Sequence, residues 1–255
     1  MLNILHHPAQ SKSDHPPLLI VHGLFGSARN WGVIARRMAA KRDVLAVDMR
    51  NHGSSPREST QSYPDMAEDL AEVIRAHGGR MDVMGHSMGG KASMQLALTQ
   101  GALVNRLIIA DIAPVAYAHD QSRYIAAMRG LDLTGLTTRS EAGRRLSSTL
   151  DDAALRAFFL QSLDMKAKPP RWRLNLDVLE AEMAKIVGWP GTKGSFDGPA
   201  LFLSGAESHY VKPEYRPLIK ALFPAARFAK LPGAGHWLHA EKPREFEETL
   251  RVFLS

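Results

Sequence analysis

Short runs of mostly apolar residues without strand-like alternation recur along the chain at residues 18–21, 43–48, 81–84 and 107–110, and the rhythm returns at 200–203. Such a run marks a strand covered on both faces, as in a parallel sheet. Between the runs the apolar positions fall at helical spacing. Trp31, Ile34 and Met38 follow Ser27, a good N-cap; Met66, Leu70, Val73 and Ile74 mark a helix over 64–76; a further helix is predicted over 91–100. Residues 1–5 are expected as a short edge strand. Strands alternating with helices predict an α/β fold with a mostly parallel sheet and right-handed crossovers.

From about residue 115 to 195 the rhythm breaks. No strand-like run appears there, and helices are predicted at 141–149, 153–163 and 176–187. The segment is too long for a loop and reads as a helical insertion seated on the sheet, bounded by Pro114 and by residues 191–199. The expected division is therefore a core of residues 1–114 and 196–255 with a cap, or lid, of 115–195. Beyond the cap come a strand at 200–203, a helix at 213–223, a strand at 227–231, a glycine-bearing turn at 232–237 and a last helix at 243–254.

A chain of 255 residues buries a large core. It contains no cysteine, which excludes disulfides, thiolate metal sites and a cysteine nucleophile. Nothing near the start resembles a secretory leader and no stretch is apolar for long enough to span a bilayer, so a cytoplasmic protein without a membrane partner is expected. The formal charge of +6 and a pI near 9.6 would suit a nucleic-acid partner, but the basic residues are spread along the chain and interrupted by acids, so none is expected. One basic cluster stands out: Lys166, Lys168, Arg171 and Arg173 around Trp172. It reads either as a solvated loop or as a landing place for an acidic substrate group.

The candidate chemistry centres on residues 85–90, Gly-His-Ser-Met-Gly-Gly, between the strand at 81–84 and the helix after it. A Gly-x-Ser-x-Gly arises by chance in about one chain in ten of this length, so the strand-to-helix context carries the weight. That context reads as a nucleophile elbow, in which Ser87 projects from a turn so sharp that its neighbours two residues away almost touch. Two further polar, glycine-bearing segments follow strands: His22-Gly23-Leu24-Phe25-Gly26 and Gly235-His236-Trp237. All three lie at strand C-termini, where parallel sheets place their ligands.

With these segments the sequence resembles the α/β-hydrolase family over essentially its whole length, most closely the YbfF-type bacterial esterases. The resemblance implies an α/β-hydrolase fold and a serine hydrolase. Ser87 is then the nucleophile and His236 the base, in the family's chain order of nucleophile, acid and histidine; His209 and His239 are the weaker rivals for the base. An ester's developing oxyanion needs two backbone donors. The N–H of Met88 is the first, and that of Leu24 is the expected second with Phe25 as fallback. The side chains of Phe25 and Trp237 are expected as substrate walls.

The acid departs from the family's habit. Many α/β-hydrolases carry it at the fourth position of a Gly-x-x-Asp turn after the later strand, but that turn here is Gly205-Ala206-Glu207-Ser208. Asp111, at the end of the strand beside the elbow strand, is the favoured acid, and Glu207 the alternative. No metal spacing or phosphate loop appears, so no metal or cofactor is implied. The expected activity is cleavage of small carboxylic esters or acyl thioesters through an acyl-enzyme, by a monomer or homodimer. Lactone hydrolysis, perhydrolysis and C–C bond cleavage use the same residues, and a ligand-binding receptor with negligible turnover is the reading from another class.

Overall fold

The computed structural model describes residues 1–118 and 121–255; His119, expected at the surface, lies outside them. Seven strands form the main sheet: β1 (Asn3–His7), β2 (Leu18–Val21), β3 (Val44–Asp48), β4 (Met81–His86), β5 (Val104–Ala110), β8 (Ala200–Gly205) and β9 (Ala226–Leu231). The spatial order is β1-β3-β2-β4-β5-β8-β9. Only β1 runs antiparallel, on the edge beside β3, two residues later in the chain than the sequence pattern placed it. The helical connections between the other strands force them to be parallel.

The unalternating runs are buried on both faces. Leu19, Val21, Leu45, Val47 and Val83 point into one core, shared with α2 (Tyr63–Ala76) and α3 (Met88–Thr99). Leu18, Ile20, Val44, Ala46 and Met84 point into the other, shared with α1 (Gly32–Met38) and α11 (Pro243–Leu254). Each Val, Leu, Ile or Met side chain among them contributes roughly 1.5–3 kcal/mol on burial, which anchors the sheet beneath its C-terminal edge. The shorter helices α9 (Arg216–Leu222) and α10 (Leu238–Glu241) complete the segment after β8.

Between β5 and β8 lie α4 (Ser122–Gly130), α5 (Arg139–Leu146), α6 (Ala153–Leu160), α7 (Leu176–Ala181) and α8 (Met183–Val187). The helix expected over 176–187 is broken at Glu182 into α7 and α8. This segment also contains strand structure that its pattern did not show: a small antiparallel pair, β6 (Leu163–Asp164) with β7 (Arg171–Trp172). Two residues per strand are too few for alternation to register. Polar contacts seat the segment on the rest of the chain, among them Asn175 N–H to the Asn51 carbonyl at 2.9 Å and Ser162 Oγ to the Phe25 carbonyl at 3.1 Å. No helix among the described residues is long and apolar enough to cross a membrane.

Candidate active site

In the ladder between the elbow strand and its neighbour, His86 pairs with Ala110, so the next residues, Ser87 and Asp111, leave the sheet side by side. Both turn sharply, with φ of 53° and 51°. Such backbone is costly for a residue with a side chain and marks functional sites. Phe25, at 63°, shares it. The helix expected from residue 91 begins at once at Met88, because the chain bends fully at Ser87. Glycine is required on both sides of that bend. A Cβ on Gly85 would lie 2.4 Å from the Gly89 carbonyl oxygen, and one on Gly89 would lie 2.4 Å from that of His22.

The close approach at Gly89 brings the first turn of α3 against the loop after β2. Leu24 and Met88 have N–H groups with no protein acceptor among the described residues. Phe25 does not: its N–H donates to His52 Nε2 at 3.2 Å, while His52 Nδ1 donates to the Arg50 carbonyl at 2.8 Å. The fallback donor is thus already engaged, and Leu24 remains.

Ser87 Oγ lies 3.1 Å from His236 Nε2, and His236 Nδ1 lies 2.7 Å from Asp111 Oδ2. With Nδ1–H donating to the carboxylate, Nε2 is left to accept from the serine. Asp111 is fully buried and also receives Ser208 Oγ at 2.5 Å and the Gly205 N–H at 3.2 Å. Glu207 is exposed, one residue along, with its N–H on the Ala234 carbonyl. Of the two carboxylates weighed from the sequence, the structure brings Asp111 to His236 and leaves Glu207 at the surface.

Other groups hold the loop of His236 in place. His86 Nε2–H donates to the His236 carbonyl at 2.9 Å, and Glu241 receives the N–H groups of Gly235 and Trp237. The Tyr210 ring stacks on the His236 ring at 4.1 Å. His22 receives the Met49 N–H on Nε2 and donates Nδ1–H to the Gly23 carbonyl, which leaves it no proton to exchange with a substrate. Burial keeps His22, His52 and His86 neutral by pushing their pKa values down, that of His52 to about 3. His239 stacks on Trp31 at 4.0 Å and is pushed to about 3, first by burial and then by the charge of His236. It is a poor rival for the base.

These groups open into a cavity of about 300 Å³ that reaches from Ser87 to the inserted helices. Phe25, Phe158, Phe159, Tyr124 and Trp237 form one aromatic side, with Phe25 edge-on to Phe159 at 5.4 Å and Phe158 6.0 Å from Trp237. Tyr63, Met88, Lys91, Ile112, Tyr117 and Val187 line it elsewhere. None of the four basic residues at 166–173 does, and Arg173 pairs with Asp164 at 3.2 Å. No group of three or more His, Asp or Glu side chains among the described residues is placed to share a metal ion.

Comparison with known proteins settles the relationship. The family described as alpha/beta hydrolase fold matches residues 16–243. The chain belongs to that family. It is 39% identical to Esterase YbfF of Escherichia coli, over all of this chain and 99% of the relative. It is 40% identical to the sn-1-specific diacylglycerol lipase ABHD11 of Xenopus tropicalis, over 94% of this chain and 78% of that one. A solved structure, a marine microorganism esterase, superposes with a TM-score of 0.92 at 37% identity, covering 99% of this chain and 98% of the other. The α/β-hydrolase chain is accordingly an enzyme of the esterase and lipase type.

Sequence reasoning missed three contributors. Ser208 carried a signal, since it stands where the family's acid usually does; its hydroxyl donates to the Asp111 carboxylate. His52 carried only its place in the polar turn at 48–53, which resembles the family's own, with nothing to show its partner; Tyr210 carried none.

Proposed function

We propose that the α/β-hydrolase chain is a serine carboxylesterase, acting on small acyl esters or thioesters through an acyl-enzyme. The observation that carries this reading is the continuous line Ser87 Oγ, His236 Nε2, His236 Nδ1, Asp111 Oδ2, with steps of 3.1 and 2.7 Å, at the wall of a largely apolar cavity. A free hydroxyl is a weak nucleophile until a base takes its proton. His236 accepts that proton as Ser87 attacks the acyl carbonyl, and Asp111 fixes its tautomer and stabilises its cation. The carbonyl oxygen, now an oxyanion, receives the N–H groups of Leu24 and Met88. His236 then protonates the departing alcohol or thiol, and water repeats the sequence to release the acid.

Phe25 and Trp237 offer an apolar surface to the substrate, which favours an acyl ester over a sugar or peptide. Relatives named as an esterase and a diacylglycerol lipase favour the same bond type. Residues 115–195 act in this reading as a cap that excludes water from the acyl-enzyme. The test is labelling with an organophosphonate together with turnover of a chromogenic ester. A single adduct at Ser87, with loss of several orders of magnitude in Ser87→Ala, is expected. A stall after one equivalent would indicate a receptor instead, and an adduct at Ser93 or Ser208 would remove Ser87 from its role.

A further inference from the structure

Lys91 lies one helical turn beyond Ser87 on α3, is 1% exposed and lines the same cavity, yet the acyl-transfer steps give it no part. Its Nζ donates to the carbonyls of Val187 at 2.9 Å and Gly188 at 2.5 Å, at the C-terminal end of α8. It sits 4.7 Å from the centroid of the Tyr117 ring and 5.7 Å from that of Tyr63. Tyr63 Oη donates to the neighbouring Ile186 carbonyl at 2.5 Å. A helix leaves its last carbonyls without intrahelical donors, and three successive carbonyls here are taken by side chains from α2 and α3.

Burying an amine is costly, and an apolar residue would fill the place on α3 with less penalty. The Val187 carbonyl also receives the Tyr117 N–H at 3.0 Å, so the lysine is explained by the Gly188 carbonyl, which would otherwise lose its donor, and by the second tie it adds at Val187. Burial pushes its ammonium down to about 7. The neutral amine still carries two N–H groups, as many as the carbonyls it meets, so the attachment survives either protonation state.

The direction of the acyl chain follows from the proton. His236 delivers it to the leaving oxygen, so the leaving group lies on the side of His236 and Trp237, against Phe158. The acyl chain must run the other way, past Met88 and Ile112 toward Lys91. We propose that Lys91 is a specificity-determining residue: by pinning the end of α8 to the elbow helix between Tyr63 and Tyr117, it closes the acyl side of the cavity and limits chain length. The assignment rests on the esterase reading above.

The experiment keeps the alcohol constant and varies the acyl group, comparing p-nitrophenyl butyrate with p-nitrophenyl octanoate. In Lys91→Ala the ratio of kcat/KM for octanoate over butyrate should rise at least about ten-fold, chiefly through KM. Lys91→Met keeps the bulk and drops the donors. In it, amide exchange of a peptide covering residues 183–190 should quicken relative to the other inserted helices. An unmoved ratio in the alanine variant, or unmoved exchange in the methionine variant, overturns the assignment while the esterase reading stands. A wild-type enzyme that cleaves neither ester and takes no phosphonate at Ser87 overturns both.

Discussion

Ser208 donates its hydroxyl to the same carboxylate oxygen of Asp111 that receives His236 Nδ1, at 2.5 and 2.7 Å. The ends of β5 and β8 therefore converge on one point, and a carboxylate from either strand would stand close to the imidazole.

The first prediction follows from that convergence. Asp111→Asn should lower kcat about 10³- to 10⁴-fold with folding intact, whereas Glu207→Gln, at the exposed position, should cost little. Adding Ser208→Asp to Asp111→Asn should restore at least about ten-fold, because position 208 already lies within hydrogen-bond reach of the residue it would replace. Steady-state kinetics on the three variants decide it; no recovery in the double variant would mean that only β5 can aim the acid.

Gly89→Ala tests the elbow. Its new Cβ would lie 2.4 Å from the His22 carbonyl oxygen and 2.5 Å from that of Val21, both backbone atoms that cannot swing aside. Overpacking of this kind costs roughly 1–3 kcal/mol, and the shift should also part the N–H groups of Leu24 and Met88. Urea melts should show the loss of stability and kinetics a fall in kcat larger than in KM; a variant of native stability and activity would refute the close approach.

Acid should destabilise the fold through its buried histidines. His52 and His86 have folded pKa values below the unfolded value near 6.5, that of His52 at about 3, with burial the leading cause for each. Below pH 6.5 the unfolded chain binds protons that the folded chain refuses, so this stability is complete above about pH 6.5 and drains as pH falls toward 3. For His52 the limit is on the order of 5 kcal/mol. His52→Gln should flatten the dependence of unfolding free energy on pH between about 6.5 and 4, and an unchanged slope would count against the neutral ring.

Neutralising Lys166, Lys168, Arg171 and Arg173 together should change KM equally for an anionic thioester and a neutral ester, since none of the four lines the cavity. A selective rise for the anionic substrate would show that the leaving group extends out to β7.

The sheet was readable because doubly buried strands leave unbroken apolar runs: residues 18–21 form β2 with the bounds that the pattern predicts, and the last helix spans 243–254 as expected. The helix after the elbow was misplaced by three residues because Gly89 and Gly90 look like loop formers. Gly89 answers a contact with the end of β2 and the loop after it, and Gly90 one with Ile112, and contacts distant in sequence leave no local trace. The inserted segment was legible as helical but not in detail. The break at Glu182 and the β6–β7 pair depend on what the segment rests upon. At the site, Ser87 and His236 stood out as candidates through their glycines and Asp111 through elimination, whereas the engagement of Phe25 by His52 is a matter of ring placement alone.

In the proposed triad and oxyanion pair, Ser87, Leu24, Met88 and Asp111 are all encoded before the inserted helices, and only His236 arrives after them. Replacing the proposed cap, residues 115–195, would thus leave the order of those four residues unbroken. One junction on the returning side is steric: a Cβ on Gly205 would lie 2.2 Å from the Gly235 carbonyl oxygen, so the chain docks there against the end of β8. In the proposed reading, such a replacement would change what lines the cavity while leaving those four residues in place.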